Sequence, residues 1–153
     1  ALLLGWLRTP ERFASLTLMF QKEVAARLTA APGTKHYGRL SVITQWSCET
    51  HRLFDISAKT FTPPPKVTSA MVQLVPRSAP LFPAERASLE RVTAAAFGQR
   101  RKMMRAAMKS LVIDSEAYLT SNGIDPRARA ETLNIENFCA LACALPQYER
   151  PVK

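Results

Sequence analysis

The sequence predicts an α/β segment followed by an all-helical segment. Three apolar runs of strand type alternate with helical patterns in the first half, and none follows later in the chain. Pro76, Pro80 and Pro83 mark the change in composition, because proline interrupts both helices and sheets. We therefore expect an α/β part over residues 1–77 and a helical part over residues 78–153.

The elements of the first part follow from its local patterns. Runs of apolar and β-branched residues predict strands, and Pro32-Gly33 ends the second helix. The predicted elements are a helix over 1–7, a mostly buried strand over 16–21, an amphipathic helix over 22–31, a basic loop over 34–39, a helix over 40–46, and strands over 49–56 and 67–75.

Helical spacing of apolar residues predicts every element of the second part. Ser115 and Asp125 are the expected N-caps, because short polar side chains accept hydrogen bonds from the first turn of a helix. Pro126 suits the first helical position after Asp125. The predicted helices span residues 84–97, 100–112, 115–121, 126–133 and 135–145.

A proline-rich loop joins the last two predicted strands. Phe61 opens the loop, three prolines stiffen it, and Lys66 closes it. A ring held beside a cation at a strand end suits a flat, anionic ligand such as a nucleotide. The alternative, which composition alone favours, is that Phe61 fills the core and Lys66 is a solvated charge.

The charge of the chain indicates a polyanionic partner. Net charge is +9 and the pI is near 10.0, and Lys and Arg on one surface bind phosphates with release of counterions. Between Arg91 and Ile113 there are six basic residues and no acidic one. Within the helix predicted over 100–112, four apolar residues form one stripe and the basic residues lie off it. That face is either a phosphate contact or an ordinary solvated surface.

Several other classes of protein do not fit the composition. The three cysteines have no disulfide-framework spacing and fit a reducing compartment, and with only His36 and His51 they predict no metal site. No apolar run approaches the roughly 20 residues of a membrane span, and no signal peptide is recognised. The five glycines are scattered, so the chain contains no glycine-rich nucleotide loop.

Several segments match one known family, in order and over nearly the whole chain. Together they resemble the ribosomal RNA small-subunit adenine dimethyltransferases (the KsgA group), whose relatives include the Erm resistance methylases and mitochondrial transcription factor B. The helical match favours the KsgA type. The matching segments are Gln21–Ala25, Arg27-Leu28, Tyr37–Val42, the Phe-x-Pro-x-Pro-Lys-Val-x-Ser-Ala pattern of 61–70, Ala96–Lys102 and the Gly-Ile-Asp to Leu133 segment of 123–133.

The resemblance implies a fold, a reaction and roles for residues. It implies the C-terminal part of a class I methyltransferase with a Rossmann-like, parallel sheet, plus a small all-α domain. It implies transfer of methyl groups from S-adenosylmethionine to N6 of two adjacent adenines in small-subunit (16S) rRNA. The aromatic that opens the proline loop stacks on the target adenine in this family, and that role maps onto Phe61. The residues expected to contact RNA are Lys66, Tyr37, Arg39, Arg100, Arg101, Lys102, Arg105 and Lys109.

The chain departs from the family pattern in what it lacks. The cofactor-binding motifs and the Asn-Leu-Pro-Tyr motif of the family would lie upstream of Ala1, so we expect this chain alone to be inactive and to bind S-adenosylmethionine poorly. Thr68 also stands where relatives often carry an acid. With the upstream strands absent, one edge of the sheet is expected to be open and prone to aggregate.

The resemblance also sets the expected partners and the alternatives. The expected partner is small-subunit rRNA or its 30S precursor, and the protein is expected to be a cytoplasmic monomer with no metal and no membrane contact. One alternative is a non-catalytic RNA-binding module of ribosome assembly. A weaker one is a DNA-acting relative of mitochondrial transcription factor B.

Overall fold

The structure is a computed structural model that describes residues 2–150. Ala1, which opens the first predicted helix, and residues 151–153, which close the predicted helical part, lie outside the described residues. Short 3₁₀ helices occur at Pro10–Arg12, Ala58–Thr60 and Ala130–Thr132. The elements are α1 (Leu2–Trp6), β1 (Leu16–Gln21), α2 (Lys22–Leu28), α3 (Arg39–Ser47), β2 (Cys48–Ile56), β3 (Ser69–Pro76), α4 (Arg86–Gly98), α5 (Met104–Met108), α6 (Ser115–Thr120) and α7 (Ile135–Tyr148).

The three strands form one sheet in the order β1-β3-β2. β3 lies between the other two and is antiparallel to both, so β1 and β2 run in the same direction. The expectation of a purely parallel arrangement is therefore wrong for these strands. The connection over residues 57–68 contains a single 3₁₀ turn and no crossover helix, which is what usually carries a chain to a parallel neighbour, so it returns the chain antiparallel.

The sheet buries only one of its faces in the described structure. Alternate residues of β3 (Ala70, Val72 and Leu74) point to the buried face, as the period of two requires. They form a small apolar cluster with Leu16, Ala25, Leu7 and Cys48, against which α1 packs. On the opposite face Met19 is 50% exposed and Phe54 is 58% exposed, and both lie level with Met71.

The helical part is built around a much larger apolar cluster. Leu89, Phe138 and Leu141 are fully buried at its centre. Tyr118 is also buried, and its hydroxyl donates to the Leu141 carbonyl at 2.5 Å. Burial raises the pKa of this phenol, so it stays protonated and keeps donating. Residues of the first part join this cluster, because α3 packs its buried face against α4 and α7.

The proline-rich segment after β3 is fastened to the end of α3. The Arg77 N–H donates to the Ser47 carbonyl at 3.0 Å, and the Leu81 N–H donates to the Trp46 carbonyl at 2.9 Å. The indole N–H of Trp46 donates in turn to the Phe82 carbonyl at 2.8 Å. The segment at the predicted boundary between the two parts is thus held by hydrogen bonds at several points.

Two predicted helices are wrong. The helix predicted over 100–112 is reduced to the five residues of α5, because the N–H groups of Met104 and Arg105 donate to the carbonyls of Ala128 and Pro126. Those same carbonyls are thereby withdrawn from the helix predicted over 126–133, where only a 3₁₀ turn forms. Tertiary hydrogen bonds between the two segments replace local helical ones in both.

One predicted cap also moves by a residue. Asp114, not Ser115, caps α6, and its carboxylate accepts from the N–H groups of Glu116 and Ala117 at 3.0 Å. Asp125 accepts from the Arg127 N–H at 2.8 Å, but closes a turn rather than starting an α-helix. The remaining elements are confirmed to within a few residues, with α2 ending at Leu28, α3 starting at Arg39 and β3 starting at Ser69.

Candidate RNA interface

A cavity of about 480 Å³ lies where α1, α2, α3 and α4 meet. Its apolar lining residues, here called the apolar wall, are Leu4, Leu40, Ile43 and Phe97. Its basic lining residues, here called the cationic rim, are Arg8, Arg27, His36, Arg39 and Arg100. Glu90 is the single acidic residue among the lining residues of the described chain.

The arginines of the cationic rim differ in what they already contact. Arg27 pairs with Glu23 at 2.6 Å, and Arg100 lies 3.8 Å from the Glu131 carboxylate. Arg8 and Arg39 form no salt bridge with any carboxylate of residues 2–150, and both are exposed. Two guanidinium groups are therefore free to bind an anion at the cavity.

Helix α3 begins at the wall of this cavity, and hydrogen bonds fix its first turn. Gly38 is the N-cap, and its N–H donates to the Ser41 hydroxyl at 3.1 Å. That hydroxyl donates to the Arg27 carbonyl at 2.5 Å, so the start of α3 is tied to α2. The Gln45 amide donates to the carbonyls of Leu28 and Ala30 and holds the same two helices together.

The loop before α3 is clamped onto the helical part. The Gly33 N–H donates to the Glu131 carbonyl at 2.7 Å, and Gly33 takes a left-handed φ of +82° that favours glycine. The Arg100 guanidinium donates to the Lys35 carbonyl at 2.5 Å. Arg100, predicted to bind RNA, therefore also fixes the loop that carries His36 and leads to Arg39.

Tyr37 does not lie where the sequence predicted. It is fully buried and packs edge-on against Phe97, with ring centroids 5.9 Å apart. Burial, with a smaller contribution from the nearby Cys139, raises the pKa of its phenol, and its hydroxyl has no hydrogen-bond partner among the described residues. The expectation that Tyr37 contacts RNA is therefore wrong, because the ring is enclosed in the apolar cluster and does not reach the surface.

Phe61 and Lys66 lie away from the cavity, in the loop that joins β2 to β3. Phe61 follows the 3₁₀ turn of residues 58–60 and is half-buried, and Lys66 is exposed. The loop ends beside α2, where the Lys22 N–H donates to the Thr68 carbonyl at 2.9 Å. The Thr62–Pro63 peptide bond is cis. The structure does not bring these two residues to the lining of the cavity.

The remaining predicted contacts form a separate exposed group. Arg101 and Lys102 lie in the turn before α5, Arg105 lies on α5, and Lys109 follows it. All four are exposed and make no salt bridge with any carboxylate in the part of the chain that the structure describes. The buried face of α5 is formed by Met104, Ala107 and Met108, as the apolar stripe predicted.

Other kinds of site find no support in the described residues. Between residues 2 and 150, no three His, Cys, Asp or Glu side chains come close enough to hold a metal ion. Burial raises the pKa of the Cys48 thiol to about 11 and that of Cys139 to about 12, which suits inert core thiols. No helix in the described structure is long and apolar enough to cross a bilayer.

Comparison with known proteins decides the family. Residues 2–146 match the family described as ribosomal RNA adenine dimethylase. The chain belongs to this family. A dimethylase relative named ribosomal RNA small subunit methyltransferase A, from Paramagnetospirillum magneticum, is 61% identical over 145 residues, which cover 95% of this chain and 51% of the relative. Its counterpart in Rhodospirillum rubrum is 60% identical, covering 94% of this chain and 50% of that protein.

Solved structures confirm the α/β fold class of this chain. A dimethyladenosine transferase from Plasmodium falciparum superposes with a TM-score of 0.75 and 23% identity, covering 95% of this chain and 62% of that one. The 23S rRNA methyltransferase ErmE superposes with a TM-score of 0.62 and 24% identity, with coverage of 95% and 60%. The chain spans about half the length of the curated dimethylase relatives it matches.

Sequence reasoning missed part of what the structure brings together at the cavity. Arg39 and Arg100 were predicted to bind RNA and both line the cavity. Arg8 and His36 were not singled out, since they are far apart in sequence and carry no motif. The sequence signal that could have indicated Arg8 is its position directly after an apolar helix, because such a helix packs on the rest of the protein and carries the following residue with it.

Proposed function

We propose that this chain is the RNA-binding part of an enzyme that transfers methyl groups from S-adenosylmethionine to N6 of two adjacent adenines in small-subunit rRNA. The observation that carries the proposal is the match to the dimethylase family over residues 2–146, with 61% identity to a small-subunit methyltransferase. In this proposal the enzyme acts in the cytoplasm, as a monomer, on rRNA within the 30S precursor during ribosome maturation.

The proposal assigns no cofactor site to the described residues. Their glycines are dispersed, and Gly33 and Gly123, which have positive φ, stand alone in turns. In the proposal, S-adenosylmethionine is bound by the additional half that the curated relatives possess. What this chain contributes is the positioning of the RNA.

Phe61 is proposed to stack on the target adenine. The adenine N6 lone pair is delocalised into the ring, so the amine is a weak nucleophile and the base has to be taken out of the RNA stack and held. A half-buried phenylalanine in a proline-stiffened loop provides a fixed apolar surface for such a base. Lys66, exposed in the same loop, is placed to contact a neighbouring phosphate.

The other cations are proposed to hold the RNA backbone. Phosphate contacts fix the register of a protein on RNA but carry no sequence information. Arg39 lies on the cationic rim of the cavity, and Arg100 both lines the cavity and fixes the loop before α3. Arg101, Lys102, Arg105 and Lys109 provide a second, exposed basic surface.

A second candidate function is a non-catalytic RNA-binding module of ribosome assembly. The net charge of +9 and the exposed cations around α5 favour it. It differs from the first proposal in one outcome, since a pure binding module binds precursor rRNA and never methylates it.

Methylation of undermethylated small subunits tests the proposal. The chain preceded by the additional half seen in its relatives is incubated with 30S particles and S-adenosylmethionine carrying a labelled methyl group. We expect label in N6,N6-dimethyladenine with the longer polypeptide and none with residues 1–153 alone. If the longer polypeptide binds no S-adenosylmethionine, the enzymatic proposal is wrong.

Two substitutions then test the role of Phe61. Phe61→Ala is expected to lower the methylation rate about 5- to 160-fold, because a stacking contact worth about 1–3 kcal/mol per base is lost. Phe61→Tyr keeps the ring and should retain most of the rate. Phe54→Ala is the matched control, since Phe54 is exposed on β2 outside the proline loop. Equal rates for the Phe61→Ala and Phe54→Ala variants would contradict the stacking role.

A further inference from the structure

The cavity between α1 and α4 combines an apolar wall with a cationic rim. A single anion would use only the cationic rim, and an apolar ligand would use only the apolar wall. Its apolar wall (Leu4, Leu40, Ile43 and Phe97) faces a volume of about 480 Å³, within the range of about 300–1,000 Å³ typical of small-ligand pockets. A bare phosphate would leave most of that volume and the whole apolar wall unused. A ligand with a flat apolar part and an anionic part would use both.

The cationic rim is the anion-binding part of this cavity. Arg8 follows α1 and Arg39 is the first residue of α3, so the fold brings two arginines that are 31 positions apart in the sequence to the lining of one cavity. Neither pairs with a carboxylate within residues 2–150. Guanidinium groups bind phosphate oxygens in a two-pronged geometry, which makes arginine the side chain best suited to this contact.

The cavity is held in shape before any ligand binds. Ser41 ties the first turn of α3 to the Arg27 carbonyl, and Arg100 ties the preceding loop to the helical part through the Lys35 carbonyl. A preformed site loses less free energy in ordering its side chains and loops when a ligand binds. Rigid walls also favour a ligand of defined size over a loosely bound counterion.

We propose that this cavity binds one unpaired nucleotide of the RNA, with its base on the apolar wall and its phosphate on Arg8 and Arg39. The inference rests on the proposed function, because the nucleotide belongs to the RNA that the chain binds. Sequence-tolerant RNA contacts commonly use bases that leave the stack and pack on apolar or aromatic side chains. Glu90, whose carboxylate is 3.4 Å from Arg86, is available to accept from a base amino group.

Arginine substitutions test the phosphate contact. Affinity for a single-stranded small-subunit rRNA fragment is measured across a salt series with the wild-type protein and with Arg8→Ala and Arg39→Ala. Each substitution is expected to weaken binding about tenfold, as for a lost charge-assisted hydrogen bond. Each should also lower the slope of log affinity against log salt by about 0.7, the value for one single-strand phosphate.

Matched controls come from neighbouring residues that do not line the cavity. Arg12 and Lys35 are exposed cations close in sequence to Arg8 and Arg39, and Arg12→Ala and Lys35→Ala should change affinity by less than the cavity variants. If Arg8→Ala and Arg39→Ala behave like these controls while RNA binding persists, the inference and the RNA contact of Arg39 are overturned, and the rest of the proposed function stands. If the wild-type protein shows no salt-sensitive RNA binding at all, the proposed RNA-binding role itself fails.

Filling the cavity tests the base contact. Leu4→Trp adds bulk to the apolar wall and leaves the charge unchanged; Leu2→Trp, on the same helix but not lining the cavity, is the control. Leu4→Trp is expected to weaken RNA binding severalfold with an unchanged salt slope. Arginine effects without a Leu4→Trp effect would show a phosphate-only site and overturn the nucleotide assignment. Adenosine 5′-monophosphate binding as tightly as the RNA would assign the cavity to a free nucleotide instead, and would also overturn it.

Discussion

The sheet region and the helical region of the described structure differ in how completely they bury their apolar side chains. The sheet cluster contains seven buried residues on one face, while Met19 and Phe54 remain exposed on the other. The helical cluster contains 23 buried residues contributed by elements on all sides. The helical region therefore has an enclosed apolar core, whereas the sheet region buries apolar side chains on only one of its two faces.

This difference shows which region stabilises the other. α3 belongs by sequence to the α/β part, yet its buried residues Val42, Ile43 and Trp46 lie in the helical cluster. The predicted domain boundary between residues 77 and 78 remains a prediction. The shared core implies that α3 depends on α4 and α7 for its burial. A substitution that loosens the helical cluster should therefore destabilise both regions.

The largest expected effect comes from paired truncations of the two cores. Leu141→Ala in the helical cluster and Leu74→Ala in the sheet cluster each remove a fully buried leucine and should each cost about 2–5 kcal/mol of unfolding free energy. Their reach should differ, because only Leu141 lies in the shared core. Urea unfolding gives the magnitudes, and amide hydrogen exchange shows where protection is lost.

Leu141→Ala is expected to reduce protection in α3 as well as in α4 to α7. Leu74→Ala should reduce it chiefly in β1, β2 and β3. If Leu74→Ala loosens α4 to α7 as much as Leu141→Ala does, then the two regions form one cooperative core and the comparison is wrong.

A smaller effect is expected at Arg86, which links the two regions. Its guanidinium donates to the Leu7 carbonyl and, at 3.0 Å, to the Ser47 hydroxyl, and it lies 5.3 Å from the centroid of the Trp46 ring. Arg86→Ala should lower stability by about 1–3 kcal/mol, because hydrogen bonds from a charged group are lost. Thermal unfolding provides the measurement.

The control for this substitution is Arg127→Ala. Arg127 is exposed, and its side chain forms no salt bridge with residues 2–150. Its replacement should change stability by less than about 0.5 kcal/mol, as for most surface substitutions. An Arg86→Ala variant as stable as the Arg127→Ala variant would show that Arg86 does not couple the regions.

The smallest effect on stability, with a clear effect on association, is expected on the exposed face of the sheet. Met19→Lys combined with Phe54→Lys should leave the unfolding free energy within about 0.5 kcal/mol, since both side chains are at least half exposed. Charges on an exposed sheet reduce edge-to-edge and face-to-face association. Light scattering at increasing concentration should therefore show less self-association for the double variant. Unchanged self-association of the double variant would mean that this face of the sheet does not mediate self-association.

Much of the fold could be predicted because local patterns and tertiary contacts agree there. The strand Leu16–Gln21 was predicted with the observed bounds, but its expected burial is wrong, since Leu16 alone is buried and alternate residues of the strand are exposed. The failures occur where distant backbone groups compete with local ones. The N–H groups of Met104 and Arg105 bind carbonyls of residues 126–128, and no periodicity in either segment reveals that pairing.

The sequence predicted the type of ligand for the candidate site better than it predicted which residues form the site. The net charge of +9 indicated a polyanionic partner, and Arg39, predicted to contact RNA, lines the cavity. Tyr37 could not be excluded from the sequence, because the same loop carries exposed neighbours and only the packing of Phe97 shows that the ring is buried. Arg8 reaches the cavity through long-range contacts of the α1 segment, such as the hydrogen bond from Arg86 of α4 to the Leu7 carbonyl.

The most direct test of the central claim, that this chain binds RNA but does not contain the methyl-transfer chemistry, compares two ligands on one sample. Binding of S-adenosylmethionine and of a small-subunit rRNA fragment to residues 1–153 is measured by calorimetry at low and moderate salt. The account predicts tight RNA binding that weakens steeply with salt, and no measurable heat from S-adenosylmethionine. Binding of S-adenosylmethionine with no affinity for RNA would contradict it.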